Sequence, residues 1–365
     1  MPPKGIAISA LSETSDSAYA YRIVELAKRL RENGIPCDLF FAEDHPPLKK
    51  QTTASLCMFL WLRMLRKYDF IYCGAPMAGQ AMYFVKRLTP GLVLLDMHGD
   101  DIAQSALAHE IASGGRKKTA SIRVKIAYRM AMSAADYWMT QSTYQMADLI
   151  SSGVDKNRVK VVRNGVDLEL FKFMPFPEKP LYTFAYVGAF QVWQGIDNLI
   201  TAFEGVSDPS VRMLMVGFKP EDAALKRRLV EKFGDRVALV DMVDRRRLQE
   251  LLSSAAIMLS ARPGHIASRA AFPTKFAEYA AMGRPILVTR VDETAEFVER
   301  YGCGFVSEPH PHALAAAMEQ AARTPRNVLA EMGARARSMA EEHFSWSHIG
   351  QDYANFILQI TGRRP

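Results

Sequence analysis

Short apolar runs rich in β-branched residues alternate with longer segments of helical period through the first half of the chain. This alternation predicts parallel βαβ units. In the segment 18–33, Ile23, Ala27 and Leu30 share one face of a helix that Gly34 ends. Further helices are expected at 55–67, 78–88 and 143–152. The predicted strands are 5–9, 37–41, 70–73, 92–97, 137–140 and 159–162.

The same alternation returns after a proline-rich segment. Residues 173–180 (FMPFPEKP) contain three prolines, which disfavour both helices and sheet hydrogen bonds and so predict an interdomain linker. The pattern as a whole predicts an α/β fold of two Rossmann-like domains, each with a doubly wound parallel sheet. Strands of the second domain are predicted at 184–187, 212–216, 237–239, 257–259, 285–288 and 304–306. The predicted domains are 1–172 and 181–345, followed by a terminal helical segment, 346–365, long enough to pack back across the junction.

The composition is typical of a soluble globular protein, since 49% of the 365 residues are apolar and 23% are charged. A chain of this length usually forms two domains. The N-terminus lacks the long apolar core of a signal peptide, so we expect a cytoplasmic protein. The most apolar stretch, 56–65, is too short to span a bilayer and contains Arg63. The cysteines are Cys37, Cys57, Cys73 and Cys303, and without a close pair they disfavour a zinc or redox site.

The formal net charge of +7 favours anionic partners, which include nucleotide diphosphates, membrane surfaces and nucleic acid. Two basic regions predict peripheral contact with an anionic membrane. A solvated helix face beside a buried one is the alternative interpretation. Nucleic-acid binding is disfavoured because the basic residues lack the aromatic interleaving of a nucleic-acid motif. The regions contain Arg116, Lys117, Lys118, Arg123, Lys125 and Arg129, and Lys49, Lys50, Arg63, Arg66 and Lys67.

Ligands of doubly wound sheets bind beyond the carboxyl ends of the strands, so the functional residues are expected in the loops that follow strands. Neither the glycine-rich dinucleotide pattern after a strand nor the P-loop pattern is present in the sequence. The strongest local pattern is instead 272–285 (FPTKFAEYAAMGRP), which predicts a helix between a proline and a glycine. This segment is the candidate ligand site.

Two charged residues of this helix carry the chemistry. Thr274 is expected to cap the helix, and Lys275 lies in its first turn, where a cation opposes the helix dipole. Amides at the helix N-terminus together with Lys275 can bind a diphosphate, and Glu278, one turn later, can accept hydrogen bonds from ribose hydroxyls. The alternative is an exposed pair of opposite charges on a surface helix.

The segment resembles the P-x-K-x-x-E-Y-x-A-x-G-x-P pattern of the family-4 retaining glycosyltransferases of GT-B fold. Residues 161–171 (VVRNGVDLELF) resemble the interdomain signature of that family, and 186–200 (YVGAFQVWQGIDNLI) resemble its first C-domain strand and glycine loop. Residues 344–346 (FSW) resemble the start of its terminal crossing helix. The resemblance implies two domains facing a cleft, and transfer of a sugar from a nucleoside-diphosphate sugar to a glycan, lipid-linked or small-molecule acceptor.

The resemblance also implies roles for individual residues. His98 and Lys275 would be catalytic, with Asp96 and Asp100 orienting His98, although a histidine that only completes a strand end is the alternative. The leaving diphosphate would help to take the acceptor proton, so neither a metal nor another cofactor is expected. The implied donor-binding residues are Gly188, Ala189, Phe190, Gln194, Arg262, Thr274, Lys275 and Glu278. The implied interdomain residues are Asn164 and Gly165, and the implied acceptor-side residues are Ser15, Asp16, Ser17 and Asp100.

Three departures from the family pattern accompany the resemblance. Ala270 stands where the family has the first of two acids, and Gln194 stands where its glycine loop commonly has a lysine. The glycine pair of the first N-domain loop is replaced by the residues 15–17. Lys275, helped by Arg262, then has to supply the charge that neutralises the diphosphate. A sugar-nucleotide epimerase of the same architecture and a noncatalytic glycosyltransferase-like subunit therefore remain as alternatives.

Overall fold

The computed structural model describes residues 1–9, 18–41, 44, 68–74, 76–112, 120–190 and 194–363. The chain forms two compact units. The first unit contains Met1–Asn164 and Trp346–Pro365, and the second contains Gly165–Ser345. Each unit has one six-stranded sheet whose paired strands are parallel. The predicted α/β fold of two doubly wound sheets is confirmed.

The first sheet has the strand order β2-β1-β3-β4-β5-β6. Its strands match the predicted ones, except that the last ends one residue earlier. They are β1 (Gly5–Ser9), β2 (Cys37–Phe41), β3 (Phe70–Cys73), β4 (Leu92–Met97), β5 (Tyr137–Thr140) and β6 (Val159–Val161). The helices of this unit are α1 (Ala18–Glu32), α2 (Pro76–Val85), α3 (Asp101–Ala112), α4 (Ile122–Ala134), α5 (Thr143–Ser151) and α14 (Trp346–Thr361). The predicted helix at 55–67 lies outside the described residues.

The terminal helix α14 packs against α1. A side chain at Gly350 would bring its Cβ within 2.5 Å of the Arg29 Cβ, so the two helices approach closely at this point. The Trp346 indole is buried and donates a hydrogen bond to the Tyr21 hydroxyl at 3.2 Å. The burial of Trp346, together with that of Tyr353 and Ile357 further along the helix, makes α14 an integral part of the first unit.

The second sheet has the order β12-β11-β10-β7-β8-β9. Its strands begin and end within two residues of the predicted positions, because the interior strands, such as β8 and β11, are apolar runs buried along their whole length. They are β7 (Tyr182–Val187), β8 (Met213–Phe218), β9 (Val237–Asp241), β10 (Ala255–Ser260), β11 (Ile286–Thr289) and β12 (Gly304–Ser307). The helices are α6 (Ile196–Glu204), α7 (Ala223–Phe233), α8 (Arg245–Ser253), α9 (Ile266–Arg269), α10 (Thr274–Ala281), α11 (Thr294–Tyr301), α12 (Pro311–Ala322) and α13 (Arg326–His343).

The proline-rich segment 173–180 belongs to the second unit and does not mark the division, which falls between Asn164 and Gly165. Phe171 is fully buried in the core of the second unit. The Met174 amide donates to the Met282 carbonyl at 3.2 Å. The prolines prevent regular secondary structure here, but they do not prevent packing, and this is why the proline content predicted a boundary too late in the chain.

Arg284 holds this segment in place. Its side chain is almost completely buried, and it donates to the carbonyl oxygens of Met174 at 2.8 Å, Ser253 at 3.2 Å and Ala255 at 3.2 Å. Burial lowers the pKa of Arg284 to about 10, so the guanidinium stays charged at neutral pH. One buried cation therefore ties the proline-rich segment to the end of α8 and the start of β10.

None of the described helices combines the length and the apolarity needed to cross a membrane. The apolar stretch 56–65 lies outside the described residues. Cys37, Cys73 and Cys303 are buried free thiols, and burial raises the pKa of each to about 12. These three cysteines are therefore inert at neutral pH.

Replacing Arg284 with Met should destabilise the second unit by about 3 kcal/mol, because several buried carbonyl oxygens would lose their donor. Denaturant unfolding followed by circular dichroism measures this loss. The matched control is Arg323→Met, since the Arg323 side chain is 72% exposed and the same change there should cost less than about 0.5 kcal/mol. Equal stability of the two variants would contradict the role given to Arg284.

Candidate functional site

The carboxyl ends of β7, β10 and β11 lie side by side at one edge of the second sheet. The loop after β10 is joined to β11 by a pair of hydrogen bonds. The Arg262 amide donates to Thr289 Oγ1 at 2.8 Å, and the same hydroxyl donates to the Arg262 carbonyl at 2.7 Å. This edge is where a doubly wound sheet binds its ligand.

Helix α10 is fixed against this edge by an apolar face and one polar contact. Phe276, Ala277, Ala280 and Ala281 are buried in the core of the unit. Tyr279 is also buried, and its hydroxyl accepts a hydrogen bond from the Val187 amide at 3.0 Å. Val187 is the last residue of β7, so this bond sets the position of α10 relative to the loop that begins at Gly188.

The N-terminus of α10 is not capped by a side chain. Pro273 occupies the capping position, and Thr274 is the first residue of the helix, so the prediction that Thr274 caps it is wrong. The first amides of a helix have no acceptor within the helix, and proline has no side-chain oxygen to offer one. Lys275 lies in the first turn of the helix and is half-buried. The terminus therefore presents donors and a cation of the kind that bind anions.

Glu278 is buried, with only 5% of its surface exposed, so the interpretation of Lys275 and Glu278 as an exposed surface pair is wrong. Its Oε1 lies 3.8 Å from Nη1 of Arg245, the first residue of α8. Sequence reasoning missed Arg245. The signal that could have found it is a run of three arginines in the first turn of a helix that follows a strand, a position where cations oppose the dipole.

Arg262 joins two segments beside the N-terminus of α10. Its guanidinium is buried, and Nη1 donates to Asp292 Oδ2 at 2.7 Å and to the Ala271 carbonyl at 2.8 Å. Asp292 in turn accepts bonds from the amide and hydroxyl of Thr294 at 2.9 and 2.6 Å, at the start of α11. Arg262 therefore ties together the loop before α10 and the start of α11, and its contact with a diphosphate stays a prediction.

The glycine loop after β7 packs closely against its neighbours. Gly217 has a φ of +116°, and a Cβ there would lie 2.6 Å from the Gly188 carbonyl. Gly195, at the start of α6, has a φ of +77°, and a Cβ there would lie 2.3 Å from the Ala261 carbonyl. Both positions require glycine, because neither the backbone conformation nor the space admits a side chain.

The other residues predicted in this loop also lie beyond the carboxyl end of β7. The Ala189 carbonyl accepts a bond from the Tyr186 hydroxyl at 3.2 Å. The Phe190 ring stacks on Phe218 with 3.8 Å between the ring centroids, so it packs against the core. Gln194 is half-buried two residues before α6, and Ala270 is buried. The structure thus brings all eight predicted donor-binding residues into one unit, around the carboxyl edge of one sheet.

In the first unit, His98 follows β4 and lies beside a buried ion pair. Its Nε2 is 3.0 Å from Oδ2 of Asp96, which accepts a bond from Arg22 Nε at 2.7 Å. The Tyr72 hydroxyl also donates to this oxygen. The ring of Tyr19 stacks on the His98 ring with 4.0 Å between centroids. The Asp96 carboxylate and the Tyr19 ring therefore both contact the imidazole.

Arg22 extends this network to the end of the first unit. Its Nη1 donates to Asn164 Oδ1 at 3.2 Å and its Nη2 to the Val162 carbonyl at 2.7 Å. Asn164 also donates to Gln141 Oε1 at 3.3 Å. Asn164 is the last residue of this part of the unit, and Gly165 begins the next. Sequence reasoning missed Arg22, whose signal is a cation among the apolar positions of α1.

Asp100 has a different role from the one predicted beside His98. Its Oδ1 accepts a bond from the Ala103 amide at 2.8 Å, in the first turn of α3. Asp100 therefore caps this helix, while Asp96 is the carboxylate that contacts His98. The other predicted acceptor-side residues, Ser15, Asp16 and Ser17, lie outside the described residues. Within the described part of the chain, no three His, Cys, Asp or Glu side chains are grouped as metal ligands would be.

Burial governs the protonation of His98 and Asp96 in opposite ways. Burial lowers the pKa of His98, and the nearby Asp96 carboxylate only partly opposes this effect. Burial alone would raise the pKa of Asp96, but Arg22 and His98 together hold it well below its usual range. At neutral pH the pair is therefore a neutral imidazole beside an ionised carboxylate.

Comparisons with known families match both units. The model of the glycosyl transferases group 1 matches residues 182–324, and the model of glycosyltransferase family 4 matches residues 20–170. A search among curated proteins finds no match to this sequence.

Solved structures share the fold over the whole chain. Sucrose-phosphate synthase from Thermosynechococcus elongatus is 18% identical, with a TM-score of 0.78 and 99% of each chain covered. HepE from Anabaena, solved with UDP and glucose, is 17% identical, with a TM-score of 0.74 over 98% of this chain and 100% of its own. A glycosyltransferase from Rickettsia africae is 15% identical, with a TM-score of 0.72 and 98% of each chain covered. At these identities the similarity shows the fold.

The pH dependence of stability tests the neutral state of His98. Because the pKa of His98 is lowered in the folded protein, the unfolded chain binds a proton here at higher pH than the folded chain does. The stability linked to this residue is therefore present above about pH 6.5 and is lost as the pH falls below it. Denaturant unfolding at neutral and at mildly acidic pH measures the free energy of unfolding. Its decrease on acidification should be smaller for His98→Asn than for the original protein. The exposed His312 gives the control, since His312→Asn should leave the loss unchanged. A loss that is the same in all three proteins would contradict this account.

Proposed function

The chain belongs to the family-4 glycosyltransferases of GT-B fold, and from this we propose that it is a retaining enzyme that takes its sugar from a UDP-sugar. The acceptor is a glycan, a lipid-linked saccharide or a small molecule. UDP is proposed because the HepE structures that share the fold contain UDP and glucose or UDP-glucose. The observation that carries the proposal is the buried Glu278 one turn after the uncapped N-terminus of α10.

The spacing within α10 suits a nucleoside diphosphate. One helical turn is about 5.4 Å, so the carboxylate and the N-terminal amides can contact the ribose and the diphosphate of one molecule. Glu278 is held by packing, and its Oε1 lies 3.8 Å from Nη1 of Arg245. A buried carboxylate is costly without hydrogen bonds, and two ribose hydroxyls would supply them.

Lys275 and the first amides of α10 would stabilise the diphosphate as it leaves. Charge develops on the leaving group in the transition state, and preorganised donors at that point lower the barrier. The leaving diphosphate itself would take the acceptor proton, on the same face of the sugar. We therefore propose catalysis without a metal, in which Lys275 supplies the positive charge. Arg262 would hold the loop before α10 in position, through its hydrogen bonds to Ala271 and Asp292.

His98 is proposed to contact sugar hydroxyls from the first unit. A neutral imidazole both donates and accepts hydrogen bonds, so it suits hydroxyl groups better than a charged one. Its contacts with Asp96 and Tyr19 would keep the ring in one orientation. In this role His98 positions a substrate, and because it is neutral it does not stabilise the negative charge of the diphosphate.

One observation favours a second candidate, a noncatalytic subunit that binds nucleotide. Ala270, which is 3% exposed, occupies the position of the first family acid, so a methyl group stands where a carboxylate would face the sugar. A site of this kind could retain nucleotide binding and lose transfer. An epimerase is the third alternative, and turnover of the sugar without an acceptor would identify it.

Glu278→Gln should weaken UDP binding by about tenfold to a hundredfold, since a charged hydrogen bond contributes about 1.5–3 kcal/mol. Isothermal titration calorimetry with UDP measures the change. The matched control is Glu250→Gln, at a side chain on α8 that is 55% exposed, and it should bind UDP as the original protein does. If Glu278→Gln binds UDP normally, the ribose site lies elsewhere.

Transfer itself is tested with labelled UDP-sugars and a crude acceptor extract. We expect release of UDP together with label in an acceptor, and Lys275→Ala should lower kcat by about a hundredfold or more. Lys232→Ala, on α7, is the control with unchanged kcat, since Lys232 forms its ion pair with Glu204. Interconverted sugar without an acceptor would indicate an epimerase. UDP binding without turnover would indicate a noncatalytic subunit.

A further inference from the structure

Two neighbouring helices of the first unit expose four large apolar side chains. Tyr83 and Phe84 on α2 are 49% and 57% exposed, and Ile122 and Ile126 on α4 are 69% and 48% exposed. Single exposed apolar residues are common on protein surfaces, but a group of them on adjoining elements usually marks a contact surface. Both helices belong to the first unit, whereas α10 belongs to the second. The proposed donor site therefore does not explain this group of side chains.

Helix α2 packs directly on α4, so the four side chains belong to one layer of the first unit. A Cβ at Gly79 would lie 2.8 Å from the Ala131 Cβ, and Gln80 Nε2 lies 3.7 Å from Met130 Sδ. Phe84 is one turn beyond Gln80, and Ile126 is one turn before Met130. Residues four apart share a helix face, so Phe84 lies on the same face of α2 as Gln80, and Ile126 lies on the same face of α4 as Met130. Each is about 6 Å from the Gln80–Met130 contact along its helix axis, in opposite directions, which makes about 12 Å between them.

The charged side chains carried by these two helical segments all have the same sign. Residues 76–90 and 120–135 contain no Asp or Glu. Arg87, Arg123 and Arg129 are exposed, and Lys125 is half-buried. Lys86 is paired with Asp136, just beyond α4, at 2.5 Å. Exposed apolar side chains thus share these two helices with exposed cations, and their complement is an apolar layer beneath an anionic one.

We propose that this face binds the surface of an anionic lipid bilayer. The α2–α4 face consists of Tyr83, Phe84, Ile122 and Ile126 together with Arg87, Arg123 and Arg129. The arginines contact anionic headgroups, and the aromatic and isoleucine side chains enter the interface between headgroups and acyl chains. A nucleic acid fits less well, because Ile122 and Ile126, two of the four apolar side chains, offer no flat ring on which a base can stack.

Flotation of the full-length protein with vesicles tests this proposal. The vesicles contain either phosphatidylcholine alone or equal parts of phosphatidylcholine and phosphatidylglycerol. We expect flotation with the anionic vesicles only, and less of it at high salt. One variant removes apolar contacts (Phe84→Ser with Ile126→Ser), and another reverses charge (Arg123→Glu with Arg129→Glu). Each should lower the fraction bound to anionic vesicles by about tenfold or more.

The control is Val230→Ser in the second unit. Val230 is 54% exposed on α7, a helix that also carries Arg227 and Arg228, and its variant should float as the original protein does. Thermal melts show whether each variant is folded, and the two double variants change different chemistry, so one folded variant is enough for the test. UDP binding by the variants should be unchanged, which separates this proposal from that of the donor site.

Several outcomes would overturn the proposal. Failure of the original protein to float with anionic vesicles is the first. Equal flotation by the original protein and a folded double variant is the second, and equal flotation with neutral vesicles is the third. Retention on a single-stranded oligonucleotide without any flotation would identify the face as a nucleic-acid surface instead.

Discussion

The proposed donor site depends on the hydrogen bond between the Val187 amide and the Tyr279 hydroxyl. This bond joins the last residue of β7 to the middle of α10, and the apolar face of α10 is buried in the core on either side of it. Helix α10 consequently cannot shift without exposing apolar surface and leaving a buried amide without an acceptor. The amides at its N-terminus, Lys275 and Glu278 are thus held in fixed positions before a ligand arrives, which is the condition for preorganised binding.

The first unit follows the same principle with a different pair of groups. The buried Arg22–Asp96 ion pair joins α1 to β4, and it also reaches the carbonyl of Val162 near the end of the unit. A buried ion pair is costly unless its remaining donors and acceptors are satisfied, and here the Tyr72 hydroxyl and backbone carbonyls satisfy them. His98 lies against this rigid pair, so its orientation is a consequence of the packing of α1 on the sheet.

The sequence predicted the strands well and the polar contacts poorly, for physical reasons. Strands such as β1 and β4 are buried on both faces, so a continuous run of apolar residues in the sequence is enough to identify them as strands. The division at Asn164 was not predictable from prolines, because the packing of Phe171 and Arg284 decides which unit the segment joins. Glu278 was predicted from its place in a helix, whereas Arg245 reaches it from a distant helix. Such long-range pairs are determined by the fold, and the run of arginines at the start of α8 does not by itself identify Glu278 as the partner.

The central claim is that α10 binds the ribose and the diphosphate of a nucleotide within one helical turn. A crystal structure of the protein with UDP tests it most directly. The account predicts that both ribose hydroxyls lie within hydrogen-bond distance of the Glu278 carboxylate, with the diphosphate at the amides of Thr274 and Lys275. UDP bound with its ribose away from Glu278, or with its diphosphate away from this helix terminus, would contradict the account.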